Sequence, residues 1–208
     1  MDVSRETAAR FDVYVELLQR WQGVKNLVGA ATLPEVWTRH VADSFQLVGL
    51  GGAACRWADI GSGAGFPGLV IGIALRERPN AHVHLIEANN RKAAFLREVA
   101  RETGAPVTVH ARRIEDVIPE LDNIEVLTAR ALAPLPQLLL WGKRLIEAGT
   151  LGLFLKGGDA EHESATVRDD PAYAVELLPS LTQAEARIVR IKAVGTSVVN
   201  EARSGHAG

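Results

Sequence analysis

The densest chemistry in this chain of 208 residues lies in Arg56-Trp-Ala-Asp-Ile-Gly-Ser-Gly-Ala-Gly-Phe-Pro-Gly68. A short apolar strand ends in Asp59 and runs into a loop with glycine at 61, 63, 65 and 68. Glycine permits backbone angles closed to other residues and lets a ligand approach the main chain. Pro67 suits the first turn of a following helix, where its missing N–H costs nothing. A strand, a glycine loop and a helix in this order hold a nucleotide-like ligand.

Other chemistry-bearing residues recur at later strand ends. Glu87 follows the loop by roughly 20 residues, where an acid accepts hydrogen bonds from ribose hydroxyls. Ile114 and Glu115 offer a backbone amide and a carboxylate to an adenine ring. Arg130 lies within Thr128-Ala-Arg-Ala-Leu132, and Lys156 precedes two glycines.

Two ligands compete for this layout. Gly63-Ala-Gly-Phe-Pro-Gly68 matches the dinucleotide fingerprint G-x-G-x-x-G, so a nicotinamide dinucleotide and an NAD(P)-dependent oxidoreductase are one reading. Asp59 argues against it. An acid there repels a pyrophosphate but welcomes the ammonium of S-adenosylmethionine, directly or through water. That cofactor carries ribose and adenine for Glu87 and Glu115 and has no phosphate. An acid, G-x-G-x-G in Gly61, Gly63 and Gly65, then an acid at the next strand end looks like a class I methyltransferase. Asp59 has a plainer role open to it as well, as a cap on loop amides.

The elements that must position these groups are legible in the hydrophobic periodicity. Phe11, Val15, Leu18 and Trp21 fall at helical spacing, and Pro34 opens a second helix ending near Gly49 to Gly52. From Arg56 onward strands alternate with helices. Strands are expected at 57–60, 82–87, 107–110, 124–128 and 150–155, and helices at 67–76, 90–103, 135–147 and 159–168. Ala186 to Ala193 alternates like an edge strand. The pattern predicts a Rossmann-like α/β fold with a mostly parallel seven-stranded sheet. Three segments are expected: an N-terminal helical extension over 1–52, a cofactor-binding domain over 53–198 and a flexible tail over 199–208.

Bulk properties bound the function. The chain is 47% hydrophobic and 23% charged with net charge −2, so any nucleic acid must meet a local basic face rather than bulk charge. A single cysteine, Cys55, excludes a disulfide framework. No apolar run reaches the length of a membrane span, and Met1-Asp-Val-Ser-Arg-Glu6 lacks signal-peptide order. A cytoplasmic protein without a membrane partner is expected. The six histidines are scattered without ligand spacing, so no metal is expected.

The chain resembles one family along nearly its whole length, from about Phe11 to Lys192. The residues that carry the resemblance are Trp21 with Asn26-Leu27, Arg39-His40-Val-Ala-Asp43-Ser44, Asp59 to Gly68, Arg91-Lys92 with Phe95-Leu96, Arg113-Ile-Glu115, Ala129-Arg130-Ala131 and Leu155-Lys156-Gly157. The family is the bacterial 16S ribosomal RNA guanine-N7 methyltransferases of the RsmG type, also called glucose-inhibited division protein B. Its most specific part is Phe66-Pro67-Gly68 joined to the upstream Arg-His-x-x-Asp-Ser. The resemblance implies S-adenosylmethionine as cofactor, with contacts at Gly61, Phe66, Ile114, Glu115 and Arg130. It implies methylation of guanine N7 in the decoding-region loop of small-subunit ribosomal RNA. Two residues depart from the family pattern: Lys25 stands where many members have an aromatic residue, and Gly158 where Arg or Gln is common.

The absent motifs agree. Guanine N7 has a free lone pair and no proton to lose, so its methylation needs placement and charge support but no general base. An N6-adenine enzyme would show Asp/Asn-Pro-Pro-aromatic where this chain has Ala129-Arg-Ala-Leu132, and a 5-methylcytosine enzyme needs a cysteine there.

Plainer readings stand beside several of these residues. His40 and Asp43, at i and i+3, match an ordinary surface helix pair. With the resemblance, they and Arg39 line the mouth where the guanine arrives. Arg91, Lys92, Arg112 and Arg113 lie near the ligand edge and are the candidates for RNA phosphates, whereas Arg97 and Arg101 read as a solvated flank. Lys156, at a central strand end, is expected to face substrate. Trp21, Trp37, Trp57 and Trp141 read as core. The expected partner is 16S ribosomal RNA, within a small-subunit particle. A non-catalytic ribosome-assembly factor is the other class left open.

Overall fold

The computed structural model describes residues 3–23 and 27–195. Lys25, Asn26 and the expected tail over 199–208 lie outside the described residues. Helix α1 (Arg5–Gln22) starts where the Ser4 side chain accepts a hydrogen bond from the Thr7 amide at 3.1 Å. A 3₁₀ segment, Ala30–Glu35, contains Pro34 and leads into a π-helical turn, Trp37–Ala42, and then α2 (Asp43–Gly51). The apolar spacing predicts one continuous helix from Pro34. The wide π turn instead places Arg39 and His40, and such turns are frequent at functional sites.

From β1 (Arg56–Ile60) the chain alternates α3 (Gly68–Ala74), β2 (His82–Ile86), α4 (Asn90–Thr103), β3 (Val107–His110), α5 (Ile114–Val117), β4 (Val126–Arg130), α6 (Leu135–Glu147), β5 (Leu151–Lys156) and α7 (Ala160–Arg168). Then follow β6 (Tyr173–Pro179) and β7 (Arg187–Ala193). The sheet order is β3-β2-β1-β4-β5-β7-β6, and only β7 pairs antiparallel, with β5 on one side and β6 on the other.

Two expectations are corrected by this topology. The 186–193 segment is an inner strand: Ile188, Val189 and Ile191 are buried because β5 and β6 flank it. The edge on that side of the sheet is β6, which the periodicity does not reveal. Among the tryptophans only Trp57 is fully buried, and Trp37 is 41% exposed because the π turn directs it outward.

One apolar layer joins α1 to α4 on one face of the sheet, with Phe11, Tyr14 and Leu18 in the same cluster as Leu69 and Phe95. The other face is covered by α5, α6 and α7 around Ile60, Leu127 and Phe154. The N-terminal helix therefore shares a core with the sheet, and Trp21 Nε1 donates to Glu98 Oε2 on α4 at 3.0 Å. Parallel strands β3-β2-β1-β4-β5 all end on one side, and that side carries the site.

Candidate functional site

A cleft of about 590 Å³ opens over the carboxyl ends of the strands. Its floor is the glycine loop, with φ of 67° at Gly61, 58° at Gly63 and 96° at Gly65. Side chains rarely adopt such angles. The loop is held from three sides. The Ser62 amide donates to Ile86 O at 3.0 Å, and the Gly63 amide to Glu87 Oε2 at 2.9 Å. Tyr14 of α1 donates its buried hydroxyl to Ala64 O at 2.5 Å. Burial holds that phenol well above its ordinary pKa, so it stays a donor.

Asp59 differs from its expected place. It is fully buried beneath the loop, and Oδ2 accepts from the Gly68 amide at the start of α3 at 3.1 Å. It is not part of the cleft wall. Of the two contacts expected with a ligand ammonium, direct or through water, the direct one is excluded, because its strand face turns inward under α3. It performs the capping role, and burial pushes its carboxyl up to about 7 against the pull of the Gly68 bond and Arg130.

The walls carry the remaining strand-end residues. Glu87 lines the cleft, with Oε1 accepting from the Asn89 amide at 2.8 Å. Ile114 and Glu115 line it from the first turn of α5, and Trp141 Nε1 donates to Glu115 Oε1 at 2.9 Å. Lys92, Arg112 and Arg113 stand at its rim. Arg112 forks onto Glu120 at 2.7 and 2.8 Å, so its guanidinium already has an acidic partner. Arg91 is exposed in the first turn of α4, away from the cleft wall.

Arg130, the last residue of β4, gathers the residues of the π turn. It donates to Arg39 O at 2.9 Å and to His40 Nδ1 at 2.6 Å, and lies 3.7 Å from Asp43 Oδ2. Its guanidinium also stands 5.1 Å over the Phe66 ring, on which His40 stacks at 4.9 Å. Burial, then the charges of Arg130 and Arg39, lower the His40 imidazole to about 4. It is neutral at physiological pH, as an acceptor at Nδ1 must be. Asp43 is anchored as well: Oδ1 accepts from Gln46 at 2.8 Å, Ser180 at 3.1 Å and Thr182 at 2.7 Å. That ties the β6–β7 connection to the Arg130 cluster. The Arg39 guanidinium is exposed, 3.7 Å from Glu35.

A second pocket of about 290 Å³ adjoins the cleft, lined among others by Asp43, Lys156, Glu163 and Gln183. The two share His40, Arg130 and Ala131. Lys156 faces this pocket, but with partners: Nζ lies 2.8 Å from Ala133 O and 2.6 Å from Glu163 Oε2. Tyr14, Trp141 and Glu163 are not singled out by sequence as site residues. Nothing local marks them, since each acts across at least one intervening element.

Among the described residues no group of three or more His, Cys, Asp or Glu is placed to hold a metal, and no helix is long and apolar enough to cross a membrane.

The sequence profile of the family described as rRNA small subunit methyltransferase G matches residues 7–189. A protein named ribosomal RNA small subunit methyltransferase G from Methylorubrum extorquens is 57% identical over 189 residues, covering 91% of this chain and 90% of that one. Its namesake from Parvibaculum lavamentivorans is 47% identical over 192 residues, covering 92% and 85%. In fold, the chain is similar to an O-methyltransferase from Bacillus cereus solved in complex with SAH. The TM-score is 0.63 at 13% identity, covering 86% of this chain and 90% of that one. The family profile spans both pockets and every strand except part of β7, and the chain belongs to the rRNA small subunit methyltransferase G family.

Proposed function

We propose that this chain transfers a methyl group from S-adenosylmethionine to N7 of a guanine in 16S ribosomal RNA. The larger cleft would hold the cofactor and the adjoining pocket the target base. The observation that carries the reading is the junction: both spaces share His40, Arg130 and Ala131, so a group can pass between their occupants there.

The donor sets fit S-adenosylmethionine. Glu87 suits the ribose hydroxyls, Ile114 and Glu115 suit adenine, and Gly61, Gly63, Gly65 and Phe66 shape a close-fitting floor. No helix N-terminus on the loop is free for a phosphate, because Asp59 caps α3, and this weighs against the nicotinamide alternative. When bound, S-adenosylmethionine supplies an electrophilic methyl on a sulfonium.

The chain's own part is placement. Arg130, held by Arg39, His40 and Asp43, presents fixed positive charge at the junction. Neutral His40 accepts from Arg130 rather than serving as a base, which suits a nucleophile with no proton to lose. Lys92, Arg113 and Arg39 ring the openings and suit phosphate contacts, with Arg91 and Arg112 at the periphery. At net charge −2, generic phosphate attraction is modest, so a shaped small-subunit particle in the cytoplasm is the better substrate than naked RNA.

Labelled S-adenosylmethionine, offered with small-subunit particles, naked ribosomal RNA or DNA, tests this. The expected result is 7-methylguanosine in digested 16S ribosomal RNA, most strongly from particles. Label found only in DNA or protein, or on another atom of the base, would overturn the reading.

A further inference from the structure

We infer that the Lys156–Glu163 pair reads the Watson–Crick edge of the target base and thereby selects guanine. The inference rests on the reading of the smaller pocket as the base site.

The pair is built from three separate elements. Lys156 ends β5, Glu163 lies on α7, and both are tied to the β4–α6 connection. The Leu135 amide donates to Glu163 Oε2 at 2.7 Å, the oxygen that also meets Lys156 Nζ, and Ala133 O accepts from Nζ. The two side chains are only 10% and 22% exposed. Two of the three ammonium N–H groups are thereby engaged, and Glu163 Oε1 has no hydrogen-bond partner among the described residues. What the pair offers the pocket is one cationic donor beside one anionic acceptor.

That order of polarity matches guanine. Its Watson–Crick edge presents O6 as an acceptor, then N1–H and N2–H₂ as donors. O6 can meet Lys156 while N1–H and N2–H₂ meet Glu163. Adenine presents the reverse, an N6–H₂ donor against the ammonium and an N1 lone pair against the carboxylate. N7 lies on the other edge of the ring, so a base held in this way leaves N7 uncovered. Enzymes that act on an extruded base commonly identify it by this edge.

The other acids of the pocket are poorer readers. Asp43 has Oδ1 filled by Gln46, Ser180 and Thr182 and faces Arg130 with Oδ2. Asp159 is exposed at the N-terminal end of α7, where its side chain makes no capping hydrogen bond.

The test compares small-subunit particles assembled on 16S transcripts with guanine or inosine at the methylated position. Inosine keeps O6, N1–H and N7 and lacks only the N2 amino group. Wild type is expected to methylate guanine about 10- to 100-fold faster than inosine, the loss of a hydrogen bond to a charged group. Glu163→Gln keeps an oxygen for Leu135 and Lys156 and turns an N–H₂ outward. In that variant the guanine-to-inosine ratio should collapse towards one. Glu163→Asp should retain part of it. The ratio is independent of how much of each preparation is folded. A wild-type ratio near one, or a Glu163→Gln variant that loses both rates together with the ratio intact, would overturn the inference. Absence of 7-methylguanosine from wild type on the guanine particle would instead sink the parent reading, and this one with it.

Discussion

Arg130 and His40, 90 positions apart in the chain, meet at 2.6 Å between Nη2 and Nδ1 directly over the glycine loop's phenylalanine. A guanidinium can only donate, so the imidazole accepts at Nδ1 and, when neutral, carries its proton on Nε2. The contact fastens the π turn to the end of β4. It also fixes the charge that both pockets share.

Arg130→Lys keeps the charge but loses the fork that reaches Arg39 O, His40 and Asp43 together. Turnover should fall by about 100-fold, the scale of a misplaced reactive geometry. Circular dichroism should remain that of the wild type. Steady-state rates on particles check this, and an unchanged kcat would remove Arg130 from the junction role.

Glu87→Ala should weaken cofactor binding by about 10- to 100-fold, as expected for removing charge-assisted hydrogen bonds. The structure adds a consequence that sequence does not suggest. Glu87 also holds the Gly63 and Asn89 amides, so stability should drop by about 1–2 kcal/mol. Calorimetry with S-adenosylhomocysteine and urea unfolding separate the two effects. Undiminished affinity refutes the ribose assignment.

Gly68→Ala probes packing under the loop. A Cβ at Gly68 would lie 2.3 Å from Leu85 Cδ2, 2.6 Å from Asp59 Oδ2 and 2.8 Å from Asp59 Cβ. Overpacking of this kind costs about 1–3 kcal/mol. Urea unfolding should show the loss, and a neutral outcome would mean that α3 can lift from β1 freely.

Asp59 makes stability depend on pH. Its carboxyl titrates near 7 in the folded chain against an ordinary 3.8. A raised acid contributes stability that is full below its ordinary value and lost as pH rises through the folded value. Asp59→Asn removes that loss. The stability of the variant relative to wild type should therefore grow by on the order of 3 kcal/mol between about pH 4 and pH 8. His40, lowered to about 4, acts with the opposite sign: its contribution is full above 6.5 and fades as pH falls. It is common to both proteins, so the comparison removes it. A flat difference across that range would place the Asp59 carboxyl in a wetter setting.

How far the sequence can be read follows from which residues interact. The strand, glycine loop and helix at 56–74, and the acids at the ends of β2 and β3, are legible because backbone demand and apolar period are properties of contiguous residues. The same local reading misjudges 186–193, where alternation looks alike in an edge strand and in an inner one that is half covered. It also leaves Asp59 open between ligand group and loop cap, since residue type alone does not tell which way a strand residue turns. Tertiary structure alone decided that Tyr14 reaches Ala64 across 50 positions, that Asp43 pins the β6–β7 connection, and that Lys156 meets Glu163 rather than open solvent. Those contacts arise where separate elements close on a shared core, and side-chain direction there is set by packing that no short window of sequence contains.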